Sequence, residues 1–299
     1  MVTTELRFGL SVTPSASGLA EMLAHTTLAD ELGLDFAALQ HHPYQPDHLD
    51  MWSTLAFLAA RTSRIRFLPD VADLGLRPPA MLAKAAASVD VLSGGRVELG
   101  VGSGGFPDAI ASMGGARRTP AESVAATAEA MVIMRAALDA GPVRLSGDYH
   151  HVEGYQAGPV TPHRVGIWVG AQKPRMLRLI GRLADGWVSP LNLYVPPASV
   201  NGLQAVIDEG AVSAGRDPGQ IRRMYNVLGG ITPAGTTGTH TNHGLVGPVE
   251  FWAETLSAWA RDLRFDTFVF WPRNPSPAQI RLFAEEVVPA VRVSWSART

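Results

Sequence analysis

The side chains able to do chemistry in this 299-residue chain sit in a few short stretches marked by glycine or proline, and none is a thiol, because the sequence has no cysteine. Disulfides, thiolate nucleophiles, thiolate metal sites and iron–sulfur clusters are therefore excluded. Imidazole, carboxylate, amide and lysine chemistry remain. Gln40–His41–His42–Pro43–Tyr44 puts two imidazoles together. His41 can donate to a ring or a substrate oxygen, or move a proton near neutral pH. The competing reading is a loop histidine bonded to a neighbouring carbonyl. Pro69–Asp70–Val71–Ala72–Asp73 carries two carboxylates amid apolar neighbours, candidates for proton exchange, with Asp73 better read as a loop cap or a partner of Arg77.

Two further stretches suit an anionic or planar ligand. Gly100–Val101–Gly102–Ser103–Gly104–Gly105 is half of a dinucleotide fingerprint, but Phe106–Pro107–Asp108 does not open a clean helix after it. The glycines are read instead as letting the backbone at Gly102, Ser103 and Gly104 approach a flat ring or a phosphorylated tail. Gly170–Ala171–Gln172–Lys173–Pro174 runs into a helix start, where free amides, the helix dipole and Lys173 suit a phosphate. An ordinary helix start with a solvated lysine is the alternative. Trp168, Trp187 and Trp271 either wall a planar ligand or pack.

Other chemistries lack their residues. There is no HExxH, and His41–His42 are adjacent rather than at helical or strand-alternating spacing, so no metal is expected. A GxSxG elbow and a Walker loop are also missing. The net charge of −2 is spread with both signs interspersed, which argues against nucleic acid and a membrane surface as partners. No uncharged apolar run reaches the roughly 18 residues of a membrane span. Met1–Gly9 carries Glu5 and Arg7 and does not read as a signal peptide. A cytoplasmic enzyme acting on a small-molecule substrate is the expectation.

The elements that must position these residues alternate along the whole chain. Strands are read at Leu6–Val12, Phe36–Gln40, Ile65–Val71, Val97–Val101, Ile167–Val169, Trp187–Ser189, Arg223–Gly230 and Thr267–Phe270. Helices follow them near residues 18–32, after Asp50, from Pro78–Pro79, and at 121–138, 174–184, 199–214, 251–263 and 277–288. The third is expected to bury Leu82, Ala85, Val89 and Leu92. Gly141–Gly158 reads as a hairpin excursion, and Thr232–Gly247 as a long mobile loop. Eight pairs in 299 residues, 46% of them hydrophobic, match an α/β chain folded as one (β/α)8 TIM barrel with insertion loops. A doubly wound sheet is the competitor, and the completed alternation disfavours it. In such a barrel the site lies at the strand C-termini, where the stretches above fall.

Three stretches taken in order resemble one family: Arg77–Pro78–Pro79–Ala80–Met81–Leu82–Ala83–Lys84, Val89–Asp90–Val91–Leu92–Ser93–Gly94–Gly95–Arg96 and Leu99–Gly100–Val101–Gly102–Ser103–Gly104. Leu183–Ala184–Asp185–Gly186–Trp187, following Gly170 and Lys173–Pro174, adds a fourth. Together, from about Phe8 to Trp271, they resemble the luciferase-like flavin-dependent oxidoreductases. That resemblance implies a TIM barrel, a homodimer, and reduced FMN for oxygenation or the deazaflavin coenzyme F420 for hydride transfer. It places a non-proline cis peptide at Asp70–Val71, backing the ring. It gives His41 the place of a histidine near the reacting atom in deazaflavin members, and gives Gly104, Gly170, Ala171, Gln172 and Lys173 contacts to the cofactor tail. Two departures qualify it. Gly105 stands where deazaflavin sugar dehydrogenases have an acidic residue, and Ser103 stands near where luciferase-type members hold the FMN phosphate with arginine. The Thr232–Gly247 loop is the expected lid. A relative that has lost its cofactor, or a non-flavin barrel hydrolase, are the other classes, and the second lacks a recognisable nucleophile or metal set.

Overall fold

The computed structural model describes residues 5–241 and 244–296. In chain order the elements are β1 (Arg7–Val12), α1 (Leu19–Glu31), β2 (Phe36–Leu39), α2 (Met51–Ala59), β3 (Arg66–Pro69), β4 (Ala72–Asp73), α3 (Pro79–Ser93) and β5 (Leu99–Gly102). There follow α4 (Pro107–Ser112), α5 (Pro120–Leu138), β6 (Pro142–Ser146), β7 (His151–Gln156), β8 (Ile167–Gly170), α6 (Pro174–Leu183), β9 (Gly186–Leu191) and α7 (Pro197–Ser213). The last are β10 (Arg222–Ile231), β11 (Thr239–Thr241), β12 (Gly244–Gly247), α8 (Val249–Asp262), β13 (Thr267–Pro272), α9 (Pro277–Arg281) and α10 (Val288–Ser296). A π-helical turn, Leu282–Val287, joins α9 to α10.

The strands β3-β2-β1-β13-β10-β9-β8-β5 lie side by side and parallel. Two backbone bonds, Phe67 N–H to Arg96 O and Glu98 N–H to Phe67 O, bring β3 to the start of β5 and close the barrel. Alternate residues of each strand form two apolar layers. Phe36, Ala38, Leu68, Trp168, Val188, Met224 and Val269 fill the lumen. Ala37, Leu39, Phe67, Trp187, Tyr225, Phe268 and Phe270 face the helices. Trp168 fits inside because its neighbour on β9 is Gly186, where a Cβ would lie 2.4 Å from the indole.

Polar side chains lock the N-terminal strand ends. The Asp30 carboxylate accepts from the backbone N–H groups of Ser63, Arg64 and Ile65 and so sets the entry of β3. Glu98 accepts from the Gly166 amide and pairs with Arg66, and Asp185 accepts from the Ile167 amide ahead of β8. Arg96 donates to the carbonyls of Ala59, Thr62 and Ile65 past the end of α2. Helix starts follow the sequence reading. Asp50 caps α2 through the Ser53 amide, and α5 opens on a Thr119–Glu122 capping box with Pro120 behind it.

Several expectations need correction. Leu92 is exposed, because α3 turns that position outward while Leu82, Ala86 and Val89 pack inward. Pro107 does open a helix, the short α4. Thr232–Gly247 is not a loop throughout: β12 pairs parallel to β10 and antiparallel to β11, and Leu245 is fully buried. Asn242 and His243, within that stretch, lie outside the described residues, as do Met1–Thr4 of the segment read for a signal peptide. The Gly141–Gly158 excursion is a hairpin as read, β6 paired antiparallel to β7. Among the described residues no helix is long and apolar enough to cross a membrane.

Candidate active site at the strand C-termini

His41 follows β2 and is almost fully buried. Its Nδ1 accepts from the Asp73 backbone N–H at 3.0 Å, so the ring proton of the neutral imidazole sits on Nε2. Burial pushes the His41 pKa down to about 4; Asp50 opposes this, while Arg77 and His42 add to it. The histidine is thus an uncharged N–H donor at neutral pH. Asp73 caps the loop by accepting from the Gly75 amide at 2.7 Å, and burial pushes its carboxyl up. Arg77 pairs not with Asp73 but with Asp50, at 2.5 Å, through the carboxylate oxygen that the Ser53 cap leaves free.

At the end of β3 the Asp70–Val71 peptide is cis, where the family resemblance places it. The Val71 side chain lies against the ends of β5 and β8. A Cβ at Gly102 would come within 2.6 Å of Val71 Cγ2, and one at Gly170 within 3.0 Å. Glycine at Gly102 makes the room that Val71 needs, and glycine at Gly170 relieves a tight contact on its other side. Asp70 Oδ1 accepts from Asn226 Nδ2 at 3.3 Å, while Oδ2 is buried with no hydrogen-bond partner. Burial pushes the Asp70 carboxyl up to about 7, and the single bond from Asn226 offsets this only in part.

Asn226 is the functional candidate that the sequence reading missed. It sits where the register of β10 against β9 shifts, and its amide also donates to Ser189 O and accepts from Trp271 Nε1 at 2.7 Å. The available signal was its spacing: Asn226 lies two residues after the lumen residue Met224, so it is a polar side chain at an inward position.

The remaining candidates are placed as follows. Gly104 has φ +94° and packs where a Cβ would meet Ile110 of α4 at 2.3 Å. Ser103 is half-buried. The first turn of α6 has no side-chain cap, and exposed Gln172, Lys173 and Arg175 surround it. Arg175 is a second cation that the sequence reading did not single out. Trp168 and Trp187 pack in the lumen and against Phe265, so neither walls a pocket, whereas Trp271 is half-buried at the mouth. His42, Tyr44 and Phe106 form a ring cluster on the loops after β2 and β5, with His42 Nδ1 2.7 Å from the Tyr44 hydroxyl. The structure therefore brings Asp70, Val71, Gly102, Gly170, Asn226 and Trp271 into one contact set, with His41 joined through Asp73. Among the described residues no hydrogen bond or ion pair links Lys173 to that set, and no group of three His, Asp or Glu could hold a metal ion.

Comparison with known proteins gives a consistent result. A family model described as luciferase-like monooxygenase matches residues 2–228. The F420-dependent glucose-6-phosphate dehydrogenase of Nocardia farcinica is 31% identical over 235 residues, covering 75% of this chain and 68% of that protein. Among solved structures, the coenzyme F420-dependent tetrahydromethanopterin reductase of Methanopyrus kandleri superposes with a TM-score of 0.81 at 19% identity, over 95% of this chain and 99% of that one. The monooxygenase RslO1 of Streptomyces bottropensis superposes with a TM-score of 0.76 at 22% identity, over 95% and 99% of the two chains. These two structural likenesses speak to the barrel fold.

Proposed function

Because this chain belongs to the luciferase-like monooxygenase family, we propose that it is an oxidoreductase that holds a flavin-type ring, F420 in preference to FMN, over Val71 and reduces a small organic substrate beside His41. One observation carries this reading. Val71, seated between Gly102 and Gly170, presents an apolar floor at the strand ends on which a planar ring would rest. The residues fit such a group in two further ways. The uncapped first turn of α6, with Lys173 and Arg175 beside it, suits an anionic tail. His41 offers one N–H at the buried side of the mouth. F420 is preferred because the relative matched at 31% identity is named for it, and because Ser103 replaces the phosphate-holding arginine that the luciferase-type resemblance implies.

When bound, the ring supplies the reducing equivalents. The chain contributes orientation, exclusion of water and one fixed hydrogen bond. Asp73 locks the His41 tautomer, so Nε2–H points its dipole at a substrate oxygen on which negative charge develops. Since the imidazolium forms only near pH 4, His41 acts as a hydrogen-bond donor rather than as a reservoir acid. Gly102, Ser103, Gly104, Gly170, Ala171, Gln172 and Lys173 line the path of the ring and its tail. Residues 232–238, ahead of β11, are the lid. In this reading the chain works as a single-domain barrel, as a homodimer and in the cytoplasm.

Titration of the purified protein with oxidised F420 and with FMN, followed by absorbance, tests the proposal. Saturable binding of F420, with FMN weaker, is expected. Binding of FMN alone overturns the preference, and binding of neither leaves a barrel relative without a cofactor.

A further inference from the structure

The reading above uses the backbone and apolar surface of the Asp70–Val71 segment and leaves the Asp70 carboxyl without a task. Its surroundings restrict what it can do. Oδ1 has one donor, Asn226 Nδ2, and Oδ2 has none and is shielded from water. Asn226 cannot turn over to serve it differently. Its Oδ1 holds the Trp271 indole N–H and its amide N–H also serves the Ser189 carbonyl, so a flipped amide would set donor against donor and acceptor against acceptor. An ionised carboxylate, with about four lone-pair sites, is left with a single hydrogen bond there. A carboxylic acid with its proton on Oδ2 keeps the same bond and carries no charge.

The other groups facing it offer no counter-ion. From β2 comes the Leu39 carbonyl, already bonded to the Asp70 amide. From its own loop comes Asp73, whose carboxyl is turned to the Gly75 amide, and from the loop after β2 the uncharged His41. β5 and β8 contribute Gly102 and Gly170 behind Val71, and β10 and β13 contribute Asn226 and Trp271. No lysine or arginine is among the groups that set its charge state, and burial holds its pKa near 7.

We propose that Asp70 is a proton-coupled charge sensor beside the Val71 floor: above neutral pH its Oδ2 takes up one proton from solvent water when an anionic reduced cofactor is held there, and returns it to water when that cofactor leaves or is neutral. A second negative charge brought over the Val71 floor would be repelled by an ionised Asp70, whose Oδ2 is shielded from water, and the carboxyl is the partner free to shed its charge. The exchange is one proton between water and Oδ2 per cofactor charge, with no electron leaving the protein. The inference rests on the cofactor reading given above.

Infrared difference spectroscopy on protein carrying 13C-labelled aspartate reads the carboxyl directly. The cofactor-free protein is expected to show a protonated-carboxyl band that titrates out in one step near neutrality and is absent in Asp70→Asn. Reduced F420 added at about pH 8 is expected to restore the band in the wild type. In parallel, the Kd for reduced F420 rises with pH above about 7 more steeply in the wild type than in Asp70→Asn, by up to about tenfold per pH unit. Thermal unfolding reports that the variant is folded, and Asp70→Ser serves if it is not. Cofactor binding with the band unchanged, or parallel Kd profiles in the two proteins, overturns the inference and leaves the cofactor reading intact. Absence of any binding by the wild type overturns both.

Discussion

His41 is a residue whose role changes once its neighbours are known. Sequence placed it at a strand end and left both proton transfer and hydrogen bonding open, whereas the Asp73 amide on Nδ1 and the burial of the ring leave a neutral Nε2–H donor. Replacing it with alanine is expected to lower kcat/KM by about 10²–10³, the usual cost of losing one donor to a developing oxyanion. The same burial sets a pH dependence of stability. The folded pKa of about 4 lies below the unfolded 6.5, so the contribution from the neutral ring is complete above pH 6.5 and is lost as pH falls through 4. Calorimetric scans across that window are expected to show an acid-induced loss of about 3 kcal/mol in the wild type that His41→Asn lacks. An equal acid sensitivity in both proteins contradicts the assignment. Asp70 was legible as a buried acid from its apolar neighbours. Asn226 was not singled out, because its weight comes from partners on β3 and β13 that are far away in the sequence.

Among the elements, part of the recognisable pattern works at the strand ends opposite the candidate site, while Gly102, Gly104 and Gly170 belong to both. Asp90 accepts from the Val97 amide, Arg96 holds the carbonyls past α2, and Asp185 holds the Ile167 amide, all at the N-terminal ends. Each of these jobs needs a particular charged or small side chain, so they produce a readable pattern. The site at the other end is built largely from backbone, glycine and methyl groups, which leave little trace. Helix starts were legible where proline or a capping residue acts locally, as at Asp50 and Pro78–Pro79. β11 and β12 were not, because three or four residues become strands only by pairing with one another and with β10. Gly102→Ala probes the floor. Its Cβ would collide with Val71, so cofactor affinity is expected to fall at least about tenfold, with a stability loss of about 1–3 kcal/mol from overpacking. Unchanged affinity in a folded variant means that the ring does not rest there.

For the whole molecule, eightfold alternation made the barrel legible, but its closure rests on two main-chain bonds at Phe67 that no side-chain pattern announces. The same outer layer carries exposed apolar side chains. Met81 and Leu92, eleven residues apart on α3 and so on one side of it, are 58% and 80% exposed. The homodimer proposed above would cover them, and for it sedimentation equilibrium is expected to give about twice the 31.9 kDa chain mass. A stable single-chain mass instead removes the homodimer from the functional reading. The Asn226–Trp271 bond also has an optical consequence. Of the seven tryptophans, Trp52, Trp168, Trp187, Trp252 and Trp259 are buried, and the half-buried Trp295 belongs to the terminal helix α10. Trp271 alone stands at the barrel mouth with its indole N–H pinned. A yellow chromophore arriving beside it would drain its ultraviolet emission by energy transfer, so the protein carries its own label-free fluorescent indicator of an occupied site.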